Sequence, residues 1–302
     1  MHPNQLEVSL GTARALVAEQ FPQWRGLDIR HAPGSGTVHS IFRLGDDFAL
    51  RFRMRFADPA QVRSELHREA AAAREVAGRT RFATPEPVAI GEPGGGYPLP
   101  WSIQTWLEGE VALDADPSES SSLAMDLAEF IIGVRSIDAR GRTFDGNGRG
   151  GDLRSHDDWV ATCLTRSAGL LDVVLLHRIW ERLRTLPRGS DPDVMNHCDL
   201  IPGNILVTNG RLTGVLDTGG LAAADPALDL VGAWHLLGTA PRQVLRDWLG
   251  VDDPEWERGM AWAYQQAIGL VWYYAESNPA LSRVGRKTLD RIASSLGRPL
   301  PR

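Results

Sequence analysis

The chain has 302 residues, a formal net charge of −6, 43% hydrophobic residues and 23% charged residues. That length suits two packed lobes better than one core. The composition excludes disordered and collagen-like classes, and the mildly acidic balance argues against wholesale nucleic-acid binding. Its cysteines, Cys163 and Cys198, do not make a secreted disulfide framework. No apolar run reaches the length of a membrane span, and the first residues lack a charged-then-apolar signal pattern. The expectation is a cytoplasmic protein, monomeric or weakly dimeric, with no nucleic-acid partner and no membrane partner.

Residues 5–21 read as an amphipathic helix, with Leu6, Leu10, Ala13, Leu16 and Val17 at helical spacing. A strand is predicted at 27–31, followed by the turn Pro33-Gly34-Ser35-Gly36. Segments 41–44 and 48–52 flank Gly45-Asp46-Asp47 and predict a hairpin. Asp58-Pro59 can start a helix that runs to about Val76. Strands are expected at 87–90 and 101–106, separated by the glycines at 94–96. Beyond the connector Glu108-Gly109-Glu110 the pattern turns helical, with helices predicted at 122–137, 156–170 and 172–186 and an exposed Gly/Arg-rich loop at 140–152. The helical pattern breaks near Val194. Short apolar runs at 205–207 and 212–216 then predict a small hairpin through Thr208-Asn209-Gly210, after which helices resume. The expected class is α+β. An N-terminal lobe (1–106) of antiparallel strands carries one long helix, a hinge lies at about 104–109, and a larger, mainly helical lobe spans 107–302.

The segment richest in chemistry is Asn196-His197-Cys198-Asp199-Leu200-Ile201-Pro202-Gly203-Asn204, followed after the hairpin by Leu216-Asp217-Thr218-Gly219. Such a set suits phosphoryl transfer, which needs a carboxylate facing the attacking hydroxyl and oxygen ligands that hold magnesium against phosphates. Asp199 can be the base, Asn204 a neutral metal ligand and Asp217 a charged one. A Pro-Gly bend can aim Asp199 and Asn204 into one cleft, and the hairpin returns the chain so that Asp217 enters it.

The order His-x-Asp-x-x-x-x-Asn, hairpin, Asp-x-Gly resembles the protein-kinase-like superfamily. The form His-x-Asp-x-x-Pro-Gly-Asn, with Asp225-Pro226-Ala227-Leu228-Asp229 downstream, is similar to the aminoglycoside phosphotransferase family of antibiotic kinases, and the correspondence runs in order through nearly the whole chain. The resemblance implies a two-lobed protein-kinase-like fold, Mg2+ as cofactor and ATP or GTP as phosphate donor. It implies that Ser35, Gly36 and Thr37 lie in a loop covering the phosphates, where small residues let backbone N–H groups approach. Arg51 then grips the inner phosphates in place of the usual Lys, with Arg53, on the same strand face, as the competing candidate. Glu69 pairs with Arg51, and Glu65 is the alternative one helical turn earlier. Gln104 takes the gatekeeping position, and backbone groups of Thr105 and Leu107 bond the base. His197 supports loop geometry, Asp225 braces the loop, and Asp229 is structural.

Four positions depart from the commoner family form: Cys198 replaces Gly or Arg, Asn196 an apolar residue, Thr218 a Phe or Trp, and Arg51 the Lys. None removes a reacting group. The implied activity is transfer of the terminal phosphate to a hydroxyl of a small molecule: an aminoglycoside, macrolide or related antibiotic, with a metabolic hydroxyl compound or a nucleotide-binding module without turnover as alternatives. Asp158, Trp272, Tyr274 and Glu276 are candidates for the acceptor, within an aromatic stripe (Trp262, Tyr264, Trp272, Tyr273, Tyr274) that reads mostly as core. A polycationic acceptor calls for an acidic pocket. The C-terminal helices instead mix Arg242, Arg246, Arg258, Arg283, Arg286 and Lys287 with their acids. Asp225-Pro226 follows Asp217 too soon for the long peptide-docking segment of a protein kinase.

Overall fold

The computed structural model describes residues 6–32, 38–298 and 300. The chain divides into two units, Met1–Ala77 with Ala83–Glu108, and Gly78–Phe82 with Gly109–Arg302. Residues 78–82, inside the span expected for the first lobe, cluster with the second unit.

In the first unit Ser9 accepts the Thr12 N–H and starts α1 (Leu10–Gln20). This helix begins later than the sequence pattern suggests, because Leu6 donates its N–H to the Met54 carbonyl and so runs along a strand end. Strands β1 (Ile29–His31), β2 (His39–Leu44) and β3 (Phe48–Arg53) precede α2 (Pro59–Val76), which Asp58 caps through the Ala60 and Gln61 N–H groups. Strands β4 (Pro87–Gly91) and β5 (Trp101–Thr105) complete a five-stranded antiparallel sheet in the order β1-β2-β3-β5-β4. Alternation along β3 sends Leu50 and Phe52 into the core and Arg51 and Arg53 to the face where α2 lies. Phe52 stacks on Trp101 with ring centroids 4.9 Å apart. Full burial of a side chain such as Phe42 or Phe52 stabilises by roughly 1.5–3 kcal/mol. Gly91 is required beneath this stack: a Cβ there would lie 2.2 Å from the Trp101 ring.

The second unit opens with β6 (Glu110–Val111), α3 (Ala112–Ala115) and α4 (Ser121–Arg135), followed by α5 (Asp157–Arg166) and α6 (Val173–Leu183). Strands β7 (Val194–Asn196), β8 (Ile205–Thr208), β9 (Arg211–Val215) and β10 (Ala222–Ala224) form two small sheets, β6-β8-β9 and β10-β7. Helices α7 (Val231–Leu236), α8 (Thr239–Leu249), α9 (Asp253–Tyr273) and α10 (Pro279–Ser295) follow. The predicted helix at 156–170 is shorter, with a 3-10 turn at Leu153–His156 before it. One buried carboxylate pins the β8–β9 hairpin to α4. Asp126 accepts from Arg211 at 2.7 and 2.6 Å, from the Leu212 N–H at 3.1 Å and from Arg81 at 2.7 Å. A carboxylate so buried is tolerable only when paired in this way. Among the described residues no helix is long and apolar enough to cross a membrane.

Candidate active site

The loop between β7 and β8 is assembled from its backbone outward. Asn196, at a position where an apolar residue is more usual, is fully buried and bonds through Nδ2 to the carbonyls of Val194 and Ala224. It thereby helps join β7 to β10. Cys198 takes a left-handed conformation (φ 72°), which turns the chain sharply before Asp199. The buried Asp229 carboxylate accepts the N–H groups of His197 (2.7 Å) and Cys198 (2.9 Å), and burial pushes its pKa up. Burial likewise pushes the Cys198 thiol up to about 12, so it is not a thiolate nucleophile near neutral pH. His197 bonds through Nε2 to the Leu216 carbonyl at 2.9 Å, and its Nδ1 accepts the Asp199 N–H at 3.3 Å. A carbonyl can only accept, so the imidazole proton sits on Nε2.

The structure joins Asn204 to Asp199 and bonds Asn204 to Leu216, the residue before Asp217. Asn204 donates through Nδ2 to the backbone carbonyl and to Oδ2 of Asp199, both at 3.0 Å. That orientation leaves the amide oxygen of Asn204 turned away from Asp199. Leu216 donates its N–H to the Asn204 carbonyl at 2.8 Å, and Asp217 follows in a left-handed conformation (φ 60°) at the start of the turn Thr218–Gly220. An amide oxygen and a carboxylate are the hard oxygen donors magnesium takes, alongside phosphate and water. The residues present therefore fit that ion. Among the described residues no group of three or more His, Cys, Asp or Glu could hold a metal ion. Thr218, the residue after Asp217, is buried.

Several residues around Asp199 are not evident from its motif. Its Oδ1 accepts from Arg149 Nη2 at 3.0 Å and from Gln266 Nε2 at 2.8 Å. Arg149 lies in the loop expected to be exposed. It is instead three-quarters or more covered, and it also donates to the Cys198 carbonyl at 2.9 Å. The glycines beside it allow the approach: Gly150 has φ 111°, and a Cβ there would meet Ala224 at 2.5 Å. Behind Gln266, its Oε1 lies 3.1 Å from His235 Nε2, and His235 Nδ1 lies 2.9 Å from the Thr288 hydroxyl. Burial holds the His235 pKa down at about 4. The sequence signal was a Gln265-Gln266 pair inside the apolar run of α9. Asp225 is likewise embedded. It accepts from Arg258 Nε (2.7 Å) and Trp262 Nε1 (3.0 Å) and caps the turn at Ala227 (3.0 Å).

The first unit holds the residues expected to serve the nucleotide. Arg51 Nη1 lies 3.4 Å from Glu69 and 3.5 Å from the Gln104 amide oxygen. Its Nη2 lies 3.5 Å from His39 Nδ1. Burial, with Arg51 and Arg53 nearby, lowers the His39 pKa to about 3, so the ring stays neutral and can accept from Arg51. Arg53 pairs with Glu65, so the arginines two residues apart on β3 meet the carboxylates four apart on α2 in parallel ion pairs. Thr105 donates its N–H to the Glu86 carbonyl at 2.9 Å and Trp106 to that of Asp47 at 2.6 Å. Leu107 lies two residues beyond the end of β5 and is half-buried. Ser35, Gly36 and Thr37 lie outside the described residues. Of the candidates for the acceptor, Asp158 and Glu276 are exposed, and Trp272 and Tyr274 are half-buried. Trp272 packs near Trp159 and under Arg166, while the side-chain partners of Asp199 are Arg149, Asn204 and Gln266.

This loop geometry on a two-lobed α+β fold defines a phosphotransferase of the protein-kinase-like class. A family model described as "phosphotransferase enzyme family" (APH) matches residues 30–262, and the chain belongs to that family. Solved structures agree in fold. The GDP complex of wild-type aminoglycoside 2'-phosphotransferase-IIIa superposes with a TM-score of 0.69 at 18% identity, covering 94% of this chain and 98% of that one. The ADP-bound aminoglycoside phosphotransferase APH(2'')-Ib gives 0.59 at 16% identity, covering 94% and 99%. The apoenzyme of macrolide 2'-phosphotransferase MphH from Brachybacterium faecium gives 0.60 at 19% identity, covering 93% and 97%. No curated protein sequence matches the chain.

Proposed function

We propose that this phosphotransferase moves the terminal phosphate of ATP or GTP to a hydroxyl of a small molecule in the cytoplasm, with an antibiotic of the aminoglycoside, macrolide or related classes as the leading acceptor. The observation that carries the reading is the Asp199 carboxylate, oriented by Asn204 on a loop whose backbone is bonded to the residue before Asp217. Asp199 takes the proton of the acceptor hydroxyl as its oxygen bonds to the terminal phosphorus and the bond to the nucleoside diphosphate breaks. Asn204 and Asp217 would hold magnesium, which when bound would neutralise phosphate charge. Arg51, fixed by Glu69, grips the inner phosphates with a forked guanidinium. Ser35, Gly36 and Thr37 cover the phosphates, Gln104 keeps the gate, and backbone groups of Thr105 and Leu107 bond the base. Asp158, Trp272, Tyr274 and Glu276 are proposed for the acceptor.

Within that reading Arg149 favours an acceptor with little positive charge, such as a largely apolar macrolide or a metabolic alcohol. Its guanidinium sits on Asp199 and offsets the charge that a polycation would seek. The test is consumption of Mg-ATP and Mg-GTP with panels of aminoglycosides, macrolides and neutral alcohols. Acceptor-dependent release of diphosphate is expected. Tight Mg-nucleotide binding without turnover on any acceptor would instead identify a nucleotide-binding module.

A further inference from the structure

We infer that Gln266 is a positioning residue for Asp199, oriented in turn by His235 and Thr288, and that this arrangement leaves Oδ2 as the oxygen that takes the acceptor proton. The inference rests on the reading of Asp199 as the base.

Directionality follows from donor and acceptor chemistry. An ionised carboxylate only accepts, so Gln266 turns its amide N–H toward Asp199 Oδ1, at 2.8 Å. Its carbonyl oxygen then faces His235 Nε2 at 3.1 Å, and that nitrogen must carry the imidazole proton. Nδ1 is therefore an acceptor, and the Thr288 hydroxyl donates to it across 2.9 Å. Every donor in the chain points toward Asp199. His235 on α7 and Thr288 on α10 are buried, so reversing any link strands a polar atom away from water. Gln266 on α9 has one amide orientation available, set from behind before any substrate arrives.

The carboxylate has two acceptor sites per oxygen. On Oδ1 they are occupied by Arg149 and Gln266. On Oδ2 a single donor among the described residues, Asn204 Nδ2, is present at 3.0 Å. The second lone pair of Oδ2 is the position at which an acceptor hydroxyl can bond.

The test uses Gln266→Leu and Thr288→Val, each made in the native chain and in an Asp199→Asn background, with water as acceptor and Mg-ATP or Mg-GTP as donor. Gln266→Leu is expected to lower kcat about tenfold, within the up to hundredfold loss that misplacing a group causes. KM for the nucleotide should stay unchanged, and no further loss should appear in the Asp199→Asn background. Thr288→Val should give a smaller loss of the same pattern. Equal losses in both backgrounds, or a change in KM alone, would overturn the inference. If Asp199→Asn retains full turnover, it is the reading of Asp199 as base that fails. A second measurement needs no turnover: long-range 1H–15N spectra of the native protein should show His235 with its proton on Nε2, and a proton on Nδ1 would overturn the chain.

Discussion

Leu216 donates its backbone N–H to the carbonyl oxygen of Asn204 across 2.8 Å. The bond ties the end of the β7–β8 loop to the residue before Asp217, and so links the two proposed magnesium ligands through the backbone. Asn204 also holds both the backbone and side chain of Asp199. Asn204→Ala should therefore damage two functions together. Turnover is expected to fall and the magnesium concentration for half-maximal activity to rise. A magnesium titration checks this, and an unchanged half-maximal concentration would remove Asn204 from the metal.

Asp199→Ala should lower turnover by about 10²–10⁴-fold, the range for loss of a general base. Nucleotide affinity, measured by calorimetry, should remain close to native. Comparable loss of both would mean that the residue binds rather than reacts.

Arg51 and Arg53 can be separated by the same binding measurement. Arg51→Ala should weaken nucleotide binding by about tenfold or more, as expected when a charge-assisted phosphate contact of roughly 1.5–3 kcal/mol is lost. Arg53→Ala loses its Glu65 pair, worth about 0.2–1 kcal/mol if such a partly exposed pair behaves as most do, and should leave affinity near native. The opposite ranking would exchange their roles.

Asp225 and Arg258 form an ion pair almost wholly removed from solvent. Asp225→Ala strands the guanidinium and is expected to cost about 3–5 kcal/mol of stability. The urea midpoint should drop sharply, and a change under about 1 kcal/mol would mean that the site rehydrates or repacks.

Burial holds His39 down to about 3, reinforced by Arg51 and Arg53, and holds His235 down to about 4, both from 6.5. In the unfolded chain both titrate near the ordinary value, so from about 6.5 down to about 4 for His235 and about 3 for His39 the unfolded state binds more protons. The stability they contribute is full above that window and is lost as pH falls through it. Urea unfolding should accordingly show lower stability at pH 5 than at pH 7.5, with a shallower dependence in His39→Gln. An unchanged slope in that variant would mean that His39 is solvated.

Local chemistry made much of this molecule readable in advance. The β2–β3 hairpin follows from alternation around Gly45-Asp46-Asp47, and α2 follows from its Asp58-Pro59 start. Strand and helix periods leave both Glu65 and Glu69 open as partners of Arg51, and the choice of Glu69 comes from the family resemblance. The β7–β10 ladder was not legible, because the three alanines of β10 carry no strand signal and pair only through a backbone partner distant in sequence. Arg149 and Gln266 were missed for the same reason. Each reaches Asp199 across 50 and 67 positions of chain respectively, a distance that local periodicity cannot span. The Gly/Arg-rich loop looked exposed by composition, yet its glycines are what let Arg149 come close.

The hydrogen-bond chain from Thr288 to Asp199 also orders events during synthesis. Asp199 leaves the ribosome well before α10, which follows every other described helix. A growing chain can therefore carry Asp199 while Gln266, His235 and Thr288 have yet to be made. On the proposed reading, the Gln266 contact with Asp199 gains its support from behind only once α10 has docked, later than the contacts from Arg149 and Asn204.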